Sequence, residues 1–315
     1  MAITTPRAYA PDAVRRVLQR KKRDVRGRTF HVGLVATLLT SVAILVILMV
    51  DVVLDSLTVW ETRSLGSFLT SQLSADPAVA GIAQALYGSI VLMMFTIAIA
   101  FPLGISAAIY LEEYARDTRF TRIINANIRN LAGVPSIVYG ILGLALFVKA
   151  LESITGPQVH GRSVISGGFT LGLLVLPIVI ITTAEALRAV PGGIREAAYG
   201  VGATQWQMIR QHVFPVAAPG ILTGTILSIG RAFGEAAPLL MVGGITTFFQ
   251  AGDASIVEQL QGRFSALPVL VFSWVRFPQD EFRALTAALI IVMLVVLLLI
   301  NATGIYLRNR YEKDL

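Results

Sequence analysis

The chain contains no cysteine, so it has neither a disulfide framework nor a thiolate site for a metal. Its three histidines, His31, His160 and His212, are far apart and none belongs to an H-E-x-x-H pattern, which removes the usual zinc-helix arrangement. No lysine follows a glycine anywhere, so the pattern G-x-x-x-x-G-K-[ST] is absent and the chain cannot cradle ATP in a P-loop of its own. Charge is scarce as well. Only 14% of the 315 residues are charged while 55% are hydrophobic, and the mean hydropathy is +0.72. That leaves too little polar surface to coat a soluble globule of this size. The net charge of +7 does not support a nucleic-acid partner, because the basic residues are spread between apolar runs instead of lining one face interleaved with aromatics.

What is present instead is a set of six apolar runs, at 30–54, 82–111, 131–151, 164–187, 216–243 and 284–307. Each is long enough to cross roughly 30 Å of hydrocarbon as a helix. The composition therefore predicts an all-α membrane protein with six spans. The first run is about twice the length of a signal-peptide core and no small-residue cleavage site follows it, so it is expected to remain as an anchor. Orientation follows from lysine and arginine. The arm at 1–29 holds Arg7, Arg15, Arg16, Arg20, Lys21, Lys22, Arg23, Arg26 and Arg28. The second loop holds Arg116, Arg119, Arg122 and Arg129, the fourth Arg188, Arg195 and Arg210, and the tail Arg308, Arg310 and Lys313. These are 19 of the 26 basic residues, all on one side, which predicts that both ends are cytoplasmic. The positive-inside rule alone accounts for the basic arm without a lipid-binding role.

The loops at 55–81 and 244–283 are then expected outside, each too short for an independent domain of ordinary size. The second contains ALPVLVFSWV (266–275), too short to span and read as an interfacial or re-entrant piece capping the outer mouth. No internal repeat interrupts the chain, so residues 30–315 form one helical domain behind the basic arm.

One polar stretch stands out between greasy neighbours: REAAYGVGATQWQMIRQHVFP (195–215). Pro191-Gly192-Gly193 stops what precedes it, a short helix runs toward a turn near Gly200 and Gly202, and a second runs from Thr204 until Pro215 halts it. Trp206, Ile209 and Val213 fall three and four apart and make one apolar stripe. Spacing alone admits two readings, a helix lying on the membrane surface and a small-residue knob, opened by Glu196-Ala197-Ala198, that docks in a protein groove.

In the fifth run Arg231 and Glu235 interrupt apolar sequence at i and i+4, on one helical face. From a helix start near Pro219, Arg231 lies about 18 Å along the axis, close to the bilayer midplane. A charge there costs at least about 2.5–3.5 kcal/mol on insertion scales, so such residues tend to face a cavity or a counter-charge. A structural bridge is the plain reading. Arg preceding Glu is the less favourable order for such a pair, which favours a pathway role, and a planar guanidinium suits an oxyanion. Gly220, Gly224, Ser228, Gly230 and Gly234 place small residues along the same run and permit close helix approach, a second subunit being one candidate neighbour. Pro238 should bend or end the helix beyond the pair.

The 195–215 stretch resembles the EAA loop of ABC-importer permeases: Glu196, Ala197, Ala198, Gly202 and Pro215 stand in register with its pattern, while His212 and Phe214 replace its Ile and Leu. The stretches SADPAVAGIAQALYGSI (74–90), AAIYLEEYA (107–115), NLAGVPSIVYGILGLALF (130–147), RAFGEAAPLL (231–240) and ALPVLVFSW (266–274) are similar to the phosphate-importer branch of that family, in its A-type permease subunits. Many members carry an arginine on the fourth span where this chain has Ile181, so no role of that residue carries over. The resemblance implies a six-helix permease bundle with a cytoplasmic coupling helix, in which Glu196, Ala197, Ala198 and Gly202 dock on an ATPase. It also implies a second permease chain, two ATP-binding subunits that bind ATP and magnesium, an extracytoplasmic phosphate-binding protein and a bacterial inner membrane. This chain would need no cofactor and no catalytic residue of its own. An ion-coupled transporter would explain the intramembrane charges but not the docking loop, and no nucleophile–base or metal set suggests an enzyme.

The predicted topology has a direct readout in this cysteine-free chain. A cysteine introduced at Ser74 or Asp253 should react with an impermeant thiol reagent from outside, and one at Thr204 should not. Labelling at Thr204 from outside would reverse both the orientation and the assignment of the coupling loop.

Overall fold

The computed structural model describes residues 25–245 and 255–313, so the basic arm up to residue 24 and Asp253 lie outside the described residues. The chain divides into two compact units, Met1–Asp51 and Val52–Leu315. The described part of the first is one apolar helix, the beginning of α1 (Val25–Thr62). Three of its hydroxyls are satisfied within the helix: those of Thr37, Thr40 and Ser41 donate to the carbonyls of Gly33, Ala36 and Leu38 at 2.9, 2.8 and 2.8 Å. Such back-bonding suits a helix with no water to turn to.

The second unit, among the described residues, is built of helices and loops. After a one-and-a-half-turn helix α2 (Leu65–Thr70) comes α3 (Ala83–Ile109), which widens into a π-helical turn at Tyr110–Tyr114. Then follow α4 (Arg119–Ala132) and α5 (Ser136–Gly143), itself prolonged by a π turn at Leu144–Ala150. Next are α6 (Val164–Arg188), α7 (Gly192–Gly200) and α8 (Gln205–Met208), which passes through a π turn at Ile209–Val213 into α9 (Phe214–Gly234). Short helices α10 (Ala237–Met241), α11 (Ile256–Gln261) and α12 (Leu267–Trp274) precede the last helix, α13 (Asp280–Lys313). Five stretches are long and apolar enough to cross a membrane, Arg26–Thr62, Ala83–Tyr114, Val164–Arg188, Gln205–Gly234 and Asp280–Arg310. The pair Arg119–Ala132 and Ser136–Ala150, bent by 102°, makes a sixth if taken as one span.

That bend corrects the third expected run. The apolar run covers 131–151, but the chain turns a corner at Gly133-Val134-Pro135 and the apolar helix starts only at Ser136. Pro135 disfavours helical geometry at Val134, and α4 ends at Ala132 with Gly133 as its cap. The hydroxyl of the buried Tyr139 donates to the Leu131 carbonyl at 2.8 Å and ties the two arms together.

Helix α6 is the central post, and small residues set its neighbours' distance. A side-chain carbon added at Gly104 of α3 would meet Val179 at 2.7 Å, and one at Gly220 of α9 would meet Ala186 at 2.8 Å. Gly224 leaves as little room against Thr182, and Gly304 of α13 against Ile226 of α9. In lipid, where apolar burial between helices gives little, such close backbone approach is what holds a bundle. The glycines of the fifth span are thus spent largely inside this chain, Gly220 and Gly224 against α6, rather than on a second subunit.

The segment 266–275 folds as α12, whose Leu267, Val269 and Leu270 are fully buried while Phe272 and Val275 stay exposed, which suits the re-entrant reading better than a helix lying on the interface. Trp60, Phe68, Trp274, Phe277 and Phe282 form a chain of ring contacts with centroids 4.6–6.5 Å apart, locking α2, α12 and the start of α13 together. This cluster, with Ser265 against Gly88 at the start of α3, marks the end of the bundle opposite the 188–215 loop.

Candidate functional site

Two places in the second unit carry chemistry. At one end, α7 and α8 form a helical knob with a local reason for each turn. Pro191 (φ −56°, ψ 135°) starts α7. Gly202 takes φ +83°, a left-handed conformation a β-carbon would strain, and the Ala203 amide donates back to Ala198 at 3.0 Å. Thr204 and Gln207 then form a capping box, the Thr204 amide donating to Gln207 Oε1 at 2.9 Å and the Gln207 amide to Thr204 Oγ1 at 3.3 Å.

Beneath the knob, Ala198, Met208, Ile209 and Val213 pack with Leu187, Val190, Ala217 and Ile221 in one buried cluster. Glu196 and Ala197 face outward, as do Tyr199, Trp206 and Val201, the last 84% exposed. Two expectations change. The buried stripe runs through Met208, Ile209 and Val213, and Trp206 is left outside it. Nor does Pro215 halt the helix: the backbone continues from Gln205 to Gly234, because the preceding π turn pairs the Phe214 amide with the Ile209 carbonyl and so absorbs the missing proline donor.

The knob is fastened to the end of α3 through Glu113, and the neighbouring Glu112 holds the end of α6; sequence spacing alone assigns neither residue a role. Arg195 donates from Nη2 to Glu113 Oε1 at 2.7 Å and from Nε to Glu113 Oε2 at 3.3 Å, and also to the carbonyls of Val190 and Leu187, both at 2.9 Å. The Glu113 side chain is only 5% exposed. Gln205 donates to the Glu113 carbonyl at 2.5 Å, so both helices of the knob reach the same residue. Beside it Arg188 binds both oxygens of Glu112, with Nε to Oε2 at 2.7 Å. A signal for this was available. Carboxylates at the C-terminal end of an apolar helix oppose its macrodipole and call for cations. Ile181 lines a narrow pocket with Asn125, Arg129, Glu185 and Arg188 at this end.

The second place is the interrupted fifth span. Arg231 and Glu235 do not share a helical face, because α9 ends at Gly234 and Glu235 is extended (φ −82°, ψ 112°). Pro238 explains the position of the break: its ring would collide with the carbonyl four residues back, that of Gly234. The pair is nonetheless close, Arg231 Nε lying 3.5 Å from Glu235 Oε1, with the side chains 40% and 19% exposed. Helix α10 beyond the break packs on α5, where the Pro238 Cα would stand 2.8 Å from a side-chain carbon at Gly140. Two interrupted helices therefore meet beside Arg231, the kind of junction at which transport proteins free backbone groups and side chains for a passenger. A neighbouring pocket of about 420 Å³, bounded by Gly234, Ala236, Pro268 and Phe272, is apolar and offers an anion no charged donor.

Residues 100–313 match the family described as binding-protein-dependent transport system inner membrane component. The chain is 37% identical over 180 residues to the probable ABC transporter permease protein YqgI of Bacillus subtilis (strain 168), covering 57% of this chain and 59% of that relative's length. It is 33% identical over 308 residues to the phosphate transport system permease protein PstA of Yersinia pestis, covering 95% of this chain and 97% of the relative. In fold it is similar to a chain of a bacterial alginate ABC transporter in complex with an alginate pentasaccharide-bound periplasmic protein, with a TM-score of 0.64 at 14% identity over 90% of this chain and 95% of that one.

Replacing Glu113 by Gln should lower stability by about 1–3 kcal/mol, the range for a charge-assisted bond lost at a site closed to solvent. Arg195→Gln should cost a similar amount. Thermal unfolding of the solubilised protein should show the double variant costing clearly less than the sum of the two. Additive losses would mean that the two side chains do not act as a pair.

Proposed function

Because the chain belongs to the binding-protein-dependent transport system inner membrane components, we propose that it forms half of the membrane pathway of an ATP-driven importer for inorganic phosphate. The observation that carries this reading is the knob at 192–213. It is a rigid, doubly anchored projection that offers Glu196, Ala197, Tyr199 and Val201 outward while Arg195 and Gln205 hold it to the end of α3. Such a body transmits displacement instead of absorbing it. An ATPase subunit pushing on its exposed face would move α3 through Glu113 and α9 through the unbroken helix that starts at Gln205. ATP and magnesium belong, on this reading, to two partner ATP-binding subunits. A second permease chain completes the pore, and an extracytoplasmic binding protein delivers the substrate. Both termini and the knob face the cytoplasm of a bacterial inner membrane.

Phosphate as the passenger is supported by the relative of Yersinia pestis that covers nearly the whole chain and is named a phosphate transport permease. Arg231 and Glu235 form the contact point in the pathway. The guanidinium binds the oxyanion, and the carboxylate accepts a hydrogen bond from protonated phosphate that fully ionised sulfate cannot donate.

Cells lacking only this chain should lose phosphate uptake at low external concentration, and the intact chain should restore it. Arg231→Leu with Glu235→Leu removes both charges together, which spares the fold the cost of one unpaired charge. Uptake should stay lost in that variant at equal membrane abundance. Near-normal uptake would reduce the two residues to a structural pair, and restored sulfate uptake instead of phosphate would change the substrate.

A further inference from the structure

We propose that α4 lies in the headgroup layer of the membrane and holds anionic phospholipid, with Phe120 and Ile123 set among the acyl chains and Arg116, Arg119 and Arg122 on the phosphates. The argument begins with the width of its apolar arc. Thr118 caps the helix, accepting from the Thr121 amide at 3.2 Å. Ile128 packs on a cluster of Ala108, Ile180 and Ala184 with Ala107, Leu111 and Leu176, and Ile124 is half-buried on the same side. The arc continues past what the bundle covers: Phe120 is 72% exposed and Ile123 58%. An apolar strip left beside a covered one, with arginines on its far flank, is the section of a helix that floats at an interface.

Direction and charge select the occupant. The 102° bend to Ser136–Ala150 sets α4 across the bundle instead of along it. Its level is that of the coupling end, since α3 delivers the chain there through Glu112 and Glu113, which are held by Arg188 and Arg195. A helix crossing at that level runs in the plane of the membrane surface. Arg116 and Arg119 have no acidic partner within ion-pair reach among the described residues, and Arg122 has only Asp117 at 3.4 Å, both side chains mostly in the open. Three guanidiniums on long stems beside an apolar strip match a layer in which phosphodiesters lie just above hydrocarbon.

The lack of cysteine makes the test direct. In the complete transporter in vesicles of phosphatidylglycerol and phosphatidylcholine, the variants F120C and I123C each carry a single nitroxide, with A126C on the arginine side as control. Molecular oxygen should relax the labels at 120 and 123 more than a water-soluble nickel chelate does, and the order should reverse at 126. Labels at 120 and 123 shielded from both agents would mean that a protein partner covers the face. Stronger relaxation by nickel would mean that water does. Either result overturns the proposal. In a second arm, phosphatidylglycerol retained by the purified complex should fall by roughly fivefold for each arginine lost in the Arg116→Gln, Arg119→Gln, Arg122→Gln series, with excess inorganic phosphate unable to displace it. Unchanged retention in the triple variant would remove the arginines from lipid binding.

Discussion

The Glu113 carboxylate stands at the C-terminal end of an apolar helix, where the macrodipole disfavours it, and is almost closed to solvent. Arg195 meets it with two N–H groups and also donates to the carbonyls of Val190 and Leu187 at the end of α6. One side chain thus fixes α3, the end of α6 and the start of α7 against each other. The geometry of the knob, its exposed face and the level at which α4 leaves α3 all depend on that junction.

The other determining feature is interruption. A continuous helix through lipid satisfies its own backbone and offers nothing to a solute. Here Pro135 and Pro238 break two of the helices, and Gly140 lets the broken ends pack against each other beside Arg231. The same proline chemistry has a different outcome at Pro215, where a π turn just ahead keeps the helix whole. That difference makes mechanical sense: the segment joining the knob to the fifth span is stiff, and the segment next to the charged pair is discontinuous.

Much of this was legible in residue order. Long apolar runs gave the helical class, and glycine at 202 with threonine at 204 marked the turn and the start of the second helix of the knob. The stripe on the second helix of the knob was misread because Trp206, the most hydrophobic-looking of its members, points outward and Met208 takes its place. Helical spacing determines which residues share a face, but not which part of an apolar arc a neighbour covers. Arg231 and Glu235 were read as one helical face because period alone carries no account of Pro238 reaching back to Gly234.

By itself the sequence determined the class of protein, the lengths of its apolar segments, the absence of a P-loop pattern and the local turns of the knob, since each depends on residues within about one helix of one another. Only the tertiary structure decided that Glu113 meets Arg195, 82 positions away, that Leu267, Val269 and Leu270 are buried inside the bundle, and that Gly220 and Gly224 of the fifth span face α6. Those outcomes depend on which backbones can approach and which charges have no other partner, and both are properties of the assembled helices, not of any one of them.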